Sequence, residues 1–170
     1  MLKPKTSKPD PIYMTPACYA KIRAELKRLL YNERPTLAKA AQVAAAEGDR
    51  SENFEYQATK RAMRKMDGRI RFLTKRIENA EVVDPLEQQK IAHGKVFFGC
   101  TVTVETEAGE EKTYSIVGVD EFDLSRGYVS WVSPIGRALL GSAEGDTVAF
   151  ATPGGRTELE VVKVEYKALD

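Results

Sequence analysis

Cysteine and histidine are nearly absent: the 170 residues hold only Cys18, Cys100 and His93 of these types. The two cysteines lie far apart, and neither has partners at metal-ligand spacing. A zinc site, a disulfide framework and a Ser-His-Asp or Cys-His triad are thereby excluded as the organising chemistry. No run of 18 apolar residues occurs, which excludes a membrane-spanning helix. The stretch Met1 to Pro11 is rich in Lys and Pro and lacks the apolar core of a secretory signal. It reads as a disordered leader on a cytoplasmic protein. The remaining composition, 42% hydrophobic and 30% charged, fits one or two soluble domains.

Net charge is also scarce, at +1, but the balance conceals a division. Residues 1–80 carry 18 Lys+Arg against 9 Asp+Glu, a net of +9, whereas residues 81–170 carry 8 against 16, a net of −8. An asymmetry this large implies two modules with differently charged partners, the basic one suited to nucleic acid or another polyanion.

The basic half reads as helix. Thr15-Pro16 is an N-cap residue followed by proline at the first helical position. Apolar residues then recur at Ile22, Leu26, Leu29/Leu30, Leu37, Ala40/Ala41 and Val43/Ala44, one buried stripe that Pro35 should kink or break. Gly48 is placed to close this helix, and a second helix is expected from about Ser51 to about Ala80. Its Met63, Met66, Ile70, Leu73 and Ile77 step by three and four, a heptad seam. Two such helices of about 30 residues would form an antiparallel coiled-coil hairpin reaching roughly 45 Å. A lone two-helix hairpin buries little per turn, so its length suggests a probe.

The acidic half reads as strand. Val82-Val83-Asp84-Pro85 ends the helical region and Leu86 to Gly94 is expected to be a linker. Segments of β character follow at Lys95–Phe98, Thr101–Glu105, Lys112–Val119, Tyr128–Val132, Thr147–Ala151 and Leu159–Tyr166, separated by glycine-containing turns. One short helix is expected at Ile135–Leu140, capped by Ser133-Pro134. The fold class is therefore α+β: leader 1–11, coiled-coil hairpin 12–84, linker 85–94 and a small antiparallel β domain with one short helix over 95–170.

The hairpin tip, Glu47-Gly48-Asp49-Arg50-Ser51-Glu52-Asn53-Phe54-Glu55-Tyr56, admits two readings. Asp49 can cap the second helix with Glu52 completing a capping box. Alternatively, four carboxylates within nine residues, opposed by Arg50 alone, hold a cation. Mg²⁺ commonly takes one or two carboxylates plus waters and ligands from elsewhere, so Asp49 and Glu52 would form a half-site completed by a partner. Beyond the tip, Lys60, Arg61, Arg64, Lys65, Arg69, Arg71, Lys75 and Arg76 face only Asp67. Either this is a solvated face or a phosphate-binding stripe, with Phe54 and Tyr56 available to stack on a base or pack across the turn.

These residues resemble the bacterial transcript cleavage factor family of GreA and GreB. The resemblance is carried by Gly48-Asp49-Arg50-Ser51-Glu52-Asn53, Glu33-Arg34-Pro35, Lys95-Val96-Phe97-Phe98-Gly99 and Ser133-Pro134-Ile135-Gly136-Arg137-Ala138-Leu139-Leu140. The Arg-Ser of the tip and the Phe-Phe-Gly are closer to the GreB branch, and the similarity spans about residues 12–166. It implies an FKBP-like C-terminal domain that docks on bacterial RNA polymerase at the mouth of its secondary channel, with Asp120, Glu121, Ser133 and Pro134 at the contact.

It further implies that the coiled coil enters the channel and sets Asp49 and Glu52 beside the polymerase's catalytic Mg²⁺ to help hold a second Mg²⁺ and its water. Lys60, Arg61, Arg64, Lys65, Arg69 and Arg71 would face the nascent RNA 3′ end of a backtracked complex. The factor would act as a monomer and stimulate the polymerase's own RNA cleavage without being an enzyme. A member of the same fold that occupies the channel as a regulator without promoting cleavage is the alternative; it should lack or rearrange the acidic pair. An independent nucleic-acid-binding coiled coil would leave the acidic tip unexplained.

Overall fold

The computed structural model describes residues 10–48 and 53–170. Its contacts divide into a hairpin unit, Ala20–Asn79, and a sheet unit made of residues 10–19 together with Ala80–Asp170. The chain thus starts in the sheet unit, leaves it to build the hairpin and returns, so the hairpin is an insertion.

In the hairpin, Thr15 Oγ1 accepts from the Cys18 amide at 3.3 Å and opens α1 (Pro16–Arg28). A π turn at Leu29–Glu33 follows, in which the Arg34 N–H reaches back to the Leu29 carbonyl. Then α2 (Arg34–Ala45) resumes with Pro35 in its first turn. Proline has no N–H to give the carbonyl four residues back and its ring crowds that carbonyl, so the helix widens just before it. The break expected at Pro35 is this π turn.

After the tip, α3 (Phe54–Glu78) carries the heptad seam as expected, with Leu73 buried and Met63, Met66, Ile70 and Ile77 half-buried. A seam covered by one partner helix stays half-open. Only Leu73 gains the ~1.5–3 kcal/mol of full burial, and cross-helix ion pairs add to the rest. On the facing side Ile22, Leu29, Ala41 and Ala44 are buried, while Leu30 and Val43 are 39% and 56% exposed.

The sheet unit contains two sheets. β1 (Ile12–Met14), within the stretch placed at the start of the hairpin by its sequence, pairs in parallel with β2 (Ala80–Val82). The segment Leu86 to Gly94, expected to be a linker, is instead mostly helix: α4 (Pro85–Ala92) is capped by Asp84, whose Oδ1 accepts from the Leu86 amide at 2.9 Å. The main sheet comprises β3 (Thr101–Thr106), β4 (Glu111–Val117), β5 (Tyr128–Ser130), β6 (Thr147–Thr152) and β7 (Gly155–Glu165), in the order β5-β4-β3-β7-β6. It is antiparallel except for β4–β5, which run parallel. The ten residues between them, including the 3₁₀ turn Leu124–Arg126, carry the chain back to the starting end, as a tight hairpin could not.

Lys95–Phe98 is not a strand. Val96 exchanges backbone bonds with Gly141 and Ser142, and the Tyr166 hydroxyl donates to the Lys95 carbonyl and accepts from the Phe97 amide. Its hydrogen-bonding groups are therefore used by a loop and a side chain. The core gathers Val96, Cys100, Val102, Val104, Ile116, Val129, Leu139, Leu159, Val161 and Tyr166. A bulge opposite Thr103/Val104 leaves Val162 on the outer face, 39% exposed, and so returns Val164 and Tyr166 to the inner one. Helix α5 (Pro134–Leu139) forms where expected and closes the core with Leu139.

Candidate functional site

The acidic pair assigned to the tip, Asp49 and Glu52, lies outside the described residues, but its flanks bear on its role. Helix α3 is capped by Asn53, whose Oδ1 accepts from the Tyr56 amide at 3.0 Å, while its Nδ2 donates to the Ala44 carbonyl at the end of α2. The cap is therefore not Asp49, and the third residue of the helix is Tyr56 rather than a Glu, so the capping box expected from the sequence is absent. Gly48 likewise falls one residue beyond the glycine position of a helix terminus, because α2 is capped at Ala46. Asn53 fixes both ends of the tip with one amide. Phe54 beside it is 89% exposed, whereas Tyr56 is half-buried. Of the two aromatics, Phe54 is the one open to solvent.

The cationic face divides into two groups. Arg69 is held across the hairpin by Glu25 through bonds of 2.8 and 3.0 Å and lies over the Phe72 ring, with Arg76 on the ring as well. Arg69 thus has an internal partner that sequence reading did not supply. Asp67, the only acid of the stretch, is taken by Arg34 from α2 at 2.8 Å. Arg61, Arg64, Lys65, Arg71 and Lys75 are exposed, with Lys60 partly so. With half-buried Asp67 engaged by Arg34, the exposed charged side chains of residues 60–76 are all positive. The pairs leave an electrostatic signature: the Arg69 guanidinium holds Glu25 below the usual carboxylate range, and that of Arg34 does the same to Asp67, with Arg71 and Lys60 adding to the effect.

The docking residues expected in the sheet unit come from two loops that leave the same end of the parallel pair β4–β5, where Val117 is opposite Ser130. Two of the four point inward. Glu121 accepts from the Thr15 amide at 3.1 Å, from the Thr15 hydroxyl and from the Gly118 amide at 3.0 Å. Ser133 Oγ accepts from the Gly136 amide at 3.1 Å to cap α5 and donates to the Ser130 carbonyl at 2.6 Å. Asp120 and Pro134 are exposed. Sequence reasoning missed Val119, Phe122 and Leu124, exposed at 43%, 55% and 70% in the same loop as Asp120. The signal was the alternation Val119-Asp120-Glu121-Phe122-Asp123-Leu124, whose apolar members have no core to fill.

The remaining candidates are structural. Cys18 faces the interior, and Cys100 is buried beneath the sheet with its thiol pushed up to about 12 by desolvation, which keeps it protonated and inert. His93 ends α4 in the left-handed conformation with φ 50°. Among the described residues, no group of three or more His, Cys, Asp and Glu side chains could hold a metal ion, and no helix is long and apolar enough to cross a membrane.

Comparison with known proteins covers both units. Residues 12–82 match the family described as transcription elongation factor, N-terminal, and residues 91–166 match transcription elongation factor, GreA/GreB, C-term. Transcription elongation factor GreB of Neisseria meningitidis serogroup B is 47% identical over 158 residues, 93% of this chain and 96% of that protein. Transcription elongation factor GreA of Alkalilimnicola ehrlichii is 46% identical over 147 residues, 86% and 92% of the two chains. Among solved structures, the prokaryotic transcription elongation factor GreA/GreB from Nitrosomonas europaea aligns over 91% of this chain and 99% of its own, with 25% identity and a TM-score of 0.40. With both parts of the chain matched and near half its residues shared with such relatives, the protein belongs to the GreA/GreB family of transcription elongation factors.

Proposed function

We propose that this protein rescues backtracked transcription complexes by entering the secondary channel of bacterial RNA polymerase in the cytoplasm and stimulating the polymerase's own cleavage of nascent RNA. The observation that carries the reading is the cap of α3. Asn53, rather than either acid, accepts from the Tyr56 amide, so the acidic pair is not required for that bond.

The donor chemistry of the tip fits a shared Mg²⁺, since two carboxylates suffice only where other ligands come from elsewhere. When bound there, the ion would supply activation of the attacking water and neutralisation of charge on the phosphorus oxygens. Asp49 and Glu52 are the residues that would hold it. The chain's other contributions are its own: Arg61, Arg64, Lys65 and Arg71 attract the displaced RNA, and Phe54 offers a stacking face at the tip. The exposed loops after β4 and β5 dock the factor. The catalytic centre belongs to the polymerase, so the factor is not itself the nuclease.

The test is RNA cleavage in a purified, stalled and backtracked elongation complex with Mg²⁺, comparing wild type, Asp49→Asn, Glu52→Gln and no factor. Stimulation by wild type, lost in both variants while polymerase binding is retained, is the expected outcome. Binding by wild type without stimulation would instead make the protein a channel-occupying regulator.

A further inference from the structure

The loop after β4 does two things at once. Its apolar members Val119, Phe122 and Leu124 point outward, while Glu121, between them, points inward and collects three donors: the Thr15 amide, the Thr15 hydroxyl and the Gly118 amide. Thr15 is 1% exposed and is also the cap of α1, since its Oγ1 accepts from the Cys18 amide while donating to Glu121. The helix that begins at this residue continues without a break through Tyr19, the last residue of the first sheet-unit segment, to Arg28.

Within the sheet unit, the loop and β1 are closely packed around this bond. A Cβ on Gly118 would overlap the Tyr13 carbonyl oxygen, so the β1 backbone lies directly on the loop. Tyr13 packs edge-on against Trp131 at 5.5 Å and tilted against Phe98 at 5.9 Å. A carboxylate is suited to the position because it accepts on both oxygens and favours the N-terminus of a helix.

We propose that Glu121 is a positioning residue: it locks the docking loop to the first turn of α1, so that seating the loop on a partner also sets the direction in which α1 leaves the sheet unit. On this view Glu121 touches no partner, and the docking contacts belong to its outward neighbours, Phe122 and Leu124 foremost. The inference rests on the function proposed above, and it separates two quantities that a docking contact would not. Loss of a contact weakens binding, whereas loss of a positioning residue leaves a bound factor that works slowly.

The experiment titrates factor into backtracked complexes and fits a half-saturating concentration and a maximal cleavage rate for wild type, Glu121→Ala, Glu121→Gln and Phe122→Ser. For Glu121→Ala the maximal rate should fall about tenfold to a hundredfold, the usual cost of misplacing a reacting group by an ångström, with the half-saturating concentration little changed. Phe122→Ser should show the opposite split. Glu121→Gln should restore much of the rate, because its amide oxygen still accepts from backbone and its nitrogen can donate to the Thr15 hydroxyl. Trp131 is the only tryptophan in the chain, so its emission should shift in Glu121→Ala alone, as Tyr13 loosens, without any polymerase present.

A raised half-saturating concentration with the maximal rate intact in Glu121→Ala would overturn the inference and return Glu121 to the docking surface. Unchanged values for both would overturn it as well. Should Glu121→Ala fail to fold, Glu121→Gln is read by the same split: a maximal rate lowered severalfold supports the inference, and an unchanged maximal rate or a raised half-saturating concentration overturns it. A wild type that gives no stimulation would refute the proposed function itself, an outcome distinct from these because in all of them the wild type is active.

Discussion

At the scale of single residues, Asn53 shows how a local pattern can be read correctly and still be placed wrongly. Asp49, Ser51 and Asn53 are all good N-caps, and intrinsic preference hardly separates them. The amide of Asn53 accepts from the Tyr56 N–H through Oδ1 and at the same time donates to the Ala44 carbonyl of the other helix through Nδ2, a pairing that an ionised Asp, which has no donor, could not make. That second bond joins residues nine apart, beyond the reach of a capping motif. Asn53→Ala should cost the hairpin about 1 kcal/mol, read as a lower thermal midpoint of helical circular dichroism. Asn53→Asp should recover the cap but not the bond to Ala44, giving an intermediate midpoint. Thr15 and Ser133 were legible as caps because their helices start with Pro in the following position, which narrows the register to one residue.

At the scale of elements, the heptad seam of α3 was legible because period is a property of the sequence itself. The partners of its charged flanks were not, since Glu25 and Arg69 are 44 residues apart and Arg34 and Asp67 are 33 apart. These pairs make the hairpin acid-sensitive in a definite direction. Both carboxyls titrate lower in the folded protein than in the unfolded chain, so the stabilisation is fully present above the unfolded values near pH 4 and is lost as pH falls through the depressed folded ones. The hairpin midpoint should therefore be level from pH 7 to about 5 and drop below about 4. Arg34→Ala combined with Arg69→Ala should flatten that drop, as followed by circular dichroism. In the sheet unit, alternation located five strands but could not reveal that β4 and β5 run parallel. Nor could it show that Lys95–Phe98, β-like in composition, has its bonds taken by Tyr166 and Ser142.

At the scale of the whole molecule, the charge division between the halves was the most informative single number in the sequence, and the structure refines where its positive part is presented. Glu25 and Asp67 engage Arg69 and Arg34, so the outer face around Arg61 and Arg64 carries the net charge that remains. Arg61→Glu with Arg64→Glu should weaken action on long backtracked RNA. It should also lower the slope of log activity against log salt by about 1.4, the share of two single-strand phosphates. An unchanged slope would assign that face to solvation alone. The sequence left one choice open along α2, between Ala40 and Ala41 and between Val43 and Ala44, and the π turn at Leu29–Glu33 decides it. One extra residue per turn rotates everything beyond it by about 100°. Ala41 and Ala44 thereby face α3, and Ala40 and Val43 turn outward. The turn acts as a phase shifter for the distal arm: winding the same residues into an unbroken α-helix would present the wrong side of the arm, with bulky Val43 in the seam where the small Ala44 now lets the two helices close together, whereas deleting a single residue within the turn would straighten the helix and keep Ala41 and Ala44 in phase.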